Sequence, residues 1–155
     1  MRSLLSLFAV SFLLAADEPK QELVPHELLG VWEGRKAETF GNSSGLQSVK
    51  WEFRGDKIIY TRISRVTDGT RGDRVTEIKY RLDDAKTPKE IDITNLSGPL
   101  AGKVQKGIYK IENNTLTICH VRSNIEGAKT DERPTEFDAQ KRNDLVILTF
   151  ERKKP

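Results

Sequence analysis

The sequence predicts an all-β fold: eight antiparallel strands closed into one small barrel, entered through a short N-terminal helical turn. Three observations predict it. From residue 31 onward, short runs rich in β-branched and aromatic residues recur with turn residues between them. No stretch after residue 30 keeps a helical apolar period over 11 or more residues. Most connections between runs are short, so consecutive runs are expected to pair as antiparallel neighbours. Such a sheet removes its exposed edges most simply by closing on itself. A two-sheet sandwich is the competing architecture.

The elements follow in order. Residues 1–16 read as a secretory signal peptide: a basic start at Arg2, an apolar run from Leu4 to Leu14, then Ala15-Ala16 before the polar Asp17-Glu18-Pro19. The run is too short to span a bilayer as a stable helix. A retained N-terminal anchor is the alternative. Residues 17–27 form a polar leader, and 28–155 form the barrel domain. Pro25 to Gly30 reads as one helical turn, with proline suited to its start and glycine to its exit. The strands are expected at 31–39, 48–54, 57–65, 74–82, 89–94, 104–111, 115–122 and 145–152. Arg54-Gly55-Asp56 makes one tight reversal, and Asn113-Asn114 supplies residues that tolerate positive φ at another. Trp51 and Phe53 share a face, as do Ile78, Tyr80 and Leu82, and as do Ile91 and Ile93. Leu145-Val146-Ile147-Leu148 is apolar on both faces, which predicts cover on the outer side of that strand.

Bulk composition narrows the function classes. A chain of 155 residues is one domain's length. Loss of the leader removes Arg2 from 26 basic and 23 acidic residues, leaving a net charge of +2 with both signs interleaved. Nucleic-acid binding wants a concentrated basic patch, and only Arg152-Lys153-Lys154 clusters, at the extreme end. Cys119 is the one cysteine, so no internal disulfide staples the barrel. Cys119 and His120 are adjacent on a strand and point to opposite faces, so they cannot grip one metal ion together. With two histidines and no nucleophile elbow, no catalytic constellation is legible. The expectation is a non-enzymatic protein without metal or cofactor.

Gly30-Val31-Trp32, opening the first strand after a helical turn, resembles the lipocalin entry motif. That resemblance implies that Arg152 on the last strand stacks on the Trp32 indole, so that Gly30, Trp32 and Arg152 close the barrel floor. Further motifs follow in order: Leu29-Gly30-x-Trp32, Pro88-Lys89-x-Ile91-Asp92, Gly107-Ile108-Tyr109, Leu116-x-Ile118-Cys119 and Arg133-Pro134-x-x-Phe137. Together they are similar to a lipocalin-like domain of unknown function common in exported proteins of planctomycete bacteria. The resemblance runs from about Leu28 to Arg152 and implies a fold and a location, not a mechanism.

Two places remain for function. An eight-stranded barrel is just wide enough to be filled by side chains or to hold one small ligand. Trp51, Phe53, Tyr60, Tyr80 and Tyr109 supply the aromatic surface for a small apolar ligand there. The longest irregular stretch, 123–144, is the other place. Arg133 is expected to pair with Asp92, and Phe137 to plug the barrel or anchor the loop on its wall. The expected role is therefore an exported small-ligand binder, periplasmic or extracellular, with no membrane span after signal removal. The alternative is a protein–protein interaction or inhibitor module acting through loop 123–144.

Overall fold

The computed structural model describes residues 27–46, 48–65 and 71–154. The signal-peptide and leader readings, with Pro25 and His26 of the expected helical turn, lie outside the described residues. Glu27 and Leu28 form a turn that leads into the first strand, and no helix occurs among the described residues.

Among the described residues, nine strands form one sheet: β1 Gly30–Thr39, β2 Asn42–Gly45, β3 Val49–Arg54, β4 Lys57–Arg65, β5 Arg71–Asp83, β6 Lys89–Asn95, β7 Val104–Glu112, β8 Thr115–Val121 and β9 Leu145–Arg152. All pairings are antiparallel. Strands β3 to β9 pair in sequence, and β1 pairs with both β3 and β9. That last pairing closes an eight-stranded barrel and removes the sandwich.

Strand β2 was not legible in the sequence, because Asn42-Ser43-Ser44-Gly45 has no β-forming side chain. Its pairing is supplied by the outer half of β1, from Lys36 to Thr39. The inner half of β1, from Gly30 to Glu33, pairs instead with β3. Between the halves, Leu46 N donates to Arg35 O at 3.1 Å beside a register shift in the β1–β9 ladder. Strand β5 likewise begins three residues before the expected 74, because β4 carries the ladder out to Arg65↔Arg71.

The barrel interior is the main core. Trp32, Phe53, Ile58, Ile91, Tyr109, Leu116, Ile118 and Phe150 are almost fully buried there. Each large side chain so buried stabilises the fold by roughly 1.5–3 kcal/mol. Phe53 meets Tyr80 edge-on at 5.2 Å, and Trp51 lies 4.9 Å from Phe150. A second cluster sits outside the barrel, where Ile108, Cys119, Val121, Leu145 and Ile147 pack under Ala128, Phe137 and Ala139. The two-faced apolar pattern of β9 thus has its cover in the 122–144 loop.

Gly107 marks the closest approach inside this wall. A Cβ there would sit 2.7 Å from Cys119 O and 2.8 Å from His120 Cβ. The turn between β7 and β8 has Asn113 and Asn114 at φ of 49° and 64°, the left-handed values that this hairpin type requires.

Candidate functional site

The antiparallel order puts two different ends on the barrel. One end carries the starts of β1, the ends of β9 and the β3–β4, β5–β6 and β7–β8 turns. Here Trp32 is fully buried, and its Nε1 donates to Leu28 O at 2.9 Å. The Arg152 guanidinium lies 4.2 Å from the Trp32 ring centroid. It also donates to Leu29 O at 2.5 Å and to Glu27 O. Gly30 takes φ of 108°, which turns the entering chain beneath Arg152 at a backbone conformation L side chains rarely adopt. The stacked Trp32 and Arg152, bonded to Leu28 O, Leu29 O and Glu27 O, form a floor at this end.

Tyr80 and Tyr109 belong to the same closed half. Tyr80 donates its hydroxyl to Gly55 O at 2.7 Å, and Tyr109 donates to Asp84 Oδ1. Burial, and then the Asp84 carboxylate, push the Tyr109 hydroxyl above the ordinary tyrosine range. Both hydroxyls are committed to structural partners.

The other end is open. A cavity of about 360 Å³ lies between the upper barrel wall and the 96–103 loop. Its apolar base is Trp51, Ile78 and Ile93, all buried. Tyr60, Arg62, Arg74, Thr76, Asn95 and Gln105 add polar groups above them. Ser97, Gly98, Pro99 and Leu100 roof it from the loop, whose shape is held by Gly102 N donating to Asn95 O at 2.9 Å and Ala101 N to Gly98 O at 3.0 Å. The Trp51 Nε1 donor in this wall is buried without a hydrogen-bond partner. No carboxylate or imidazole lines the cavity among the described residues.

The aromatic set expected at one pocket is therefore divided. Trp51 and Tyr60 line the cavity, whereas Phe53, Tyr80 and Tyr109 fill the closed half. Depth along the barrel, not the phase of the strand alternation, explains the division. All five point inward, but depth along the barrel separates those that meet the cavity from those that meet the floor. Arg62, Arg74, Asn95 and Gln105 were missed. The available signal was the inward phase itself, since Arg62 follows Ile58 and Tyr60 at spacings of two.

The loop anchors occupy the outer wall. Arg133 donates to Asp92 Oδ1 at 2.7 Å, to Gly107 O at 2.6 Å and to Ile91 O at 3.2 Å, and its Nε lies 3.1 Å from Glu90 Oε2. Phe137 packs against the outer cluster, with Lys110 Nζ 5.3 Å from its ring centroid. The expectation that Phe137 plugs the barrel is corrected: its aromatic ring covers the outside of the wall, because the apolar outer faces of β7, β8 and β9 need that cover.

A second staple escaped the sequence reading. Arg142 donates to both oxygens of buried Asp144, at 2.9 and 2.7 Å, and Lys129 N donates to Asp144 Oδ2 at 2.8 Å. The Arg142 guanidinium holds the Asp144 carboxyl below the usual range. Among the described residues, the large exposed apolar side chains are Leu29, Phe40, Val75, Leu96 and Val104, none within 123–144.

Cys119 and His120 face opposite sides of β8. Burial in the outer cluster pushes the Cys119 thiol up to about 12, far from the thiolate that reacts. His120 points inward, opposite Gly107 and Val146, and burial lowers its pKa.

The fold and cavity define a closed eight-stranded antiparallel β-barrel with one sealed and one open end. No protein-family model, curated protein or solved structure matches the chain.

Proposed function

We propose that the protein is an exported, lipocalin-like barrel that binds a small, mostly apolar ligand at its open end. The observation that carries this reading is the cavity of about 360 Å³, with a buried base of Trp51, Ile78 and Ile93 and a polar upper wall. Ligand sites have this character: concave, apolar at depth, with a few polar groups to fix orientation. The floor formed by the Trp32–Arg152 stack at the opposite end is consistent with it. The lining offers donors and charge for holding a ligand rather than an acid–base pair for transforming one. The signal-peptide pattern of residues 1–16 supports export, and the motif series from Leu29 to Phe137 supports membership of the exported lipocalin-like family.

Titration with an environment-sensitive apolar dye tests the reading. Trp51 in the wall is the internal reporter. Binding with one-to-one stoichiometry, a change in tryptophan emission, and loss of both on Ile93→Arg substitution are expected. Absence of dye binding, together with no retained small molecule in native mass spectrometry of the purified protein, would sink the proposal. N-terminal sequencing of the exported protein tests cleavage near Ala16.

A further inference from the structure

Register in the β4–β5 ladder sets Arg62 directly opposite Arg74. Both sit on the inward phase, since Ile58↔Ile78 and Tyr60↔Thr76 precede them on the same face. Both line the open cavity. Like charges directly opposed on a sheet destabilise it. Neither arginine has an ion pair or side-chain hydrogen bond with any described residue. Four other arginines of this barrel find carboxylates, Arg35 with Glu151, Arg54 with Glu52, Arg133 with Asp92, and Arg142 with Asp144, while Arg81, Arg122 and Arg152 have no such ion pair with a described residue. Among the described residues, the mouth thus holds a pair of guanidinium groups with no carboxylate partner above an apolar base.

We infer that the ligand is an organic anion, a carboxylate held between Arg62 and Arg74 with its apolar body on Trp51, Ile78 and Ile93. This rests on the reading of the cavity as a small-ligand site. Guanidinium presents paired donors in a planar fork that matches a carboxylate, and a ligand anion removes the repulsion the pair carries in its absence. Tyr60, Thr76 and Asn95 add neutral hydrogen-bonding groups on the same wall. Size restricts the class further. A cavity of about 360 Å³ lies at the small end of the range of ligand pockets. A medium-chain monocarboxylate fits that volume and that polarity gradient, with its head at the arginines and its tail toward Trp51.

The probes are decanoate and 1-decanol, matched in length and differing in charge. Titration calorimetry at neutral pH is run on the purified protein and on the Arg62→Gln/Arg74→Gln double variant. Both positions are exposed, so the variant keeps the fold; its thermal midpoint should stay level or rise as the repulsion goes. Decanoate is expected to bind the unsubstituted protein about tenfold or more tightly than decanol, the value of one charge-assisted hydrogen bond. Added salt should narrow that gap. In the double variant the gap should vanish while decanol affinity stays the same. Decanol binding as tightly as decanoate, or a preference that survives in the variant, overturns the anion assignment and leaves the small-ligand reading intact. Failure of both probes to bind overturns the two together.

Discussion

Replacement of Arg133 by alanine should detach the long loop from the barrel wall while leaving the barrel closed. The arginine donates to two main-chain carbonyls, Gly107 O at 2.6 Å and Ile91 O at 3.2 Å, and it pairs with Asp92 at 2.7 Å and Glu90 at 3.1 Å. Its side chain is 21% exposed and those of Glu90 and Asp92 about a third, so the ion pairs are discounted for solvent. Each is then worth about 0.2–1 kcal/mol. The charge-assisted bonds to carbonyls add about 1.5 kcal/mol each at their weaker end. A net loss of about 3.5–5 kcal/mol follows, and a fall in thermal midpoint of about 10–15 °C for a domain of this size. Thermal unfolding followed by circular dichroism measures it. A second readout is specific to the loop. Cys119 lies in the cluster that Phe137 and Ala139 cover, with its thiol pushed up to about 12 by burial. Lifting the loop returns the thiol toward its ordinary value of 9.0 and opens it to reagent. Labelling of Cys119 by a disulfide reagent at pH 8 should therefore accelerate by at least about tenfold, as reaction follows the thiolate population. A midpoint within 1 °C or so of the unsubstituted protein, with unchanged labelling, would refute the assignment of Arg133 as the loop's main anchor.

Three further outcomes are expected. Gly107→Ala should cost about 1–3 kcal/mol, because the added Cβ meets Cys119 O at 2.7 Å and backbone must move; an unshifted urea midpoint would contradict this. Arg152→Ala should cost about 2–3 kcal/mol through loss of the stack on Trp32 and the bonds to Leu29 O and Glu27 O. Arg152→Lys should restore only part of it, since an ammonium cannot stack and reach both carbonyls together. Stability should also fall as pH drops below about 6.5. Burial depresses the folded pKa of His120 below its ordinary 6.5, so the unfolded chain takes up the proton first. His120 thus contributes its full stability above that pH and loses it progressively on acidification toward the folded value. Urea midpoints between pH 5 and 8 should show the slope, and His120→Gln should flatten it. Asp144, whose pKa is lowered by Arg142, acts through a separate acidic window below the ordinary carboxylate value of 3.8.

The barrel was legible to an unusual degree, and for local reasons. Trp51 and Phe53, Ile91 and Ile93, and Ile118 betray strands through alternation that survives even when neighbours are charged. The reversals at Gly55 and Asn113-Asn114 depend on φ values that a few residue types supply. Strand β2 was hidden because its formation owes nothing to its own side chains; it borrows hydrogen bonds from β1. The candidate site was less legible. Arg62 and Arg74 are 12 positions apart, and each alone reads as an ordinary solvated charge. Their meaning comes from being opposite one another. Arg142 and Asp144, two residues apart, gave no sign that Asp144 would be buried under Lys129 N.

What this chain's sequence determined by itself is therefore the all-β class, the shared faces of Trp51 and Phe53, of Ile78, Tyr80 and Leu82, and of Ile91 and Ile93, and the reversals at Gly55 and Asn113-Asn114. Those properties depend on periodicity and backbone freedom, which act within a few residues. Only the tertiary structure decided the register in which β1 meets β9, and that the end away from Trp32 and Arg152 opens on a cavity with two facing arginines. Register between strands far apart in sequence sets each of these. A shift of one residue in the β4–β5 ladder would turn Arg74 to the outer face and leave the same sequence pattern without the site.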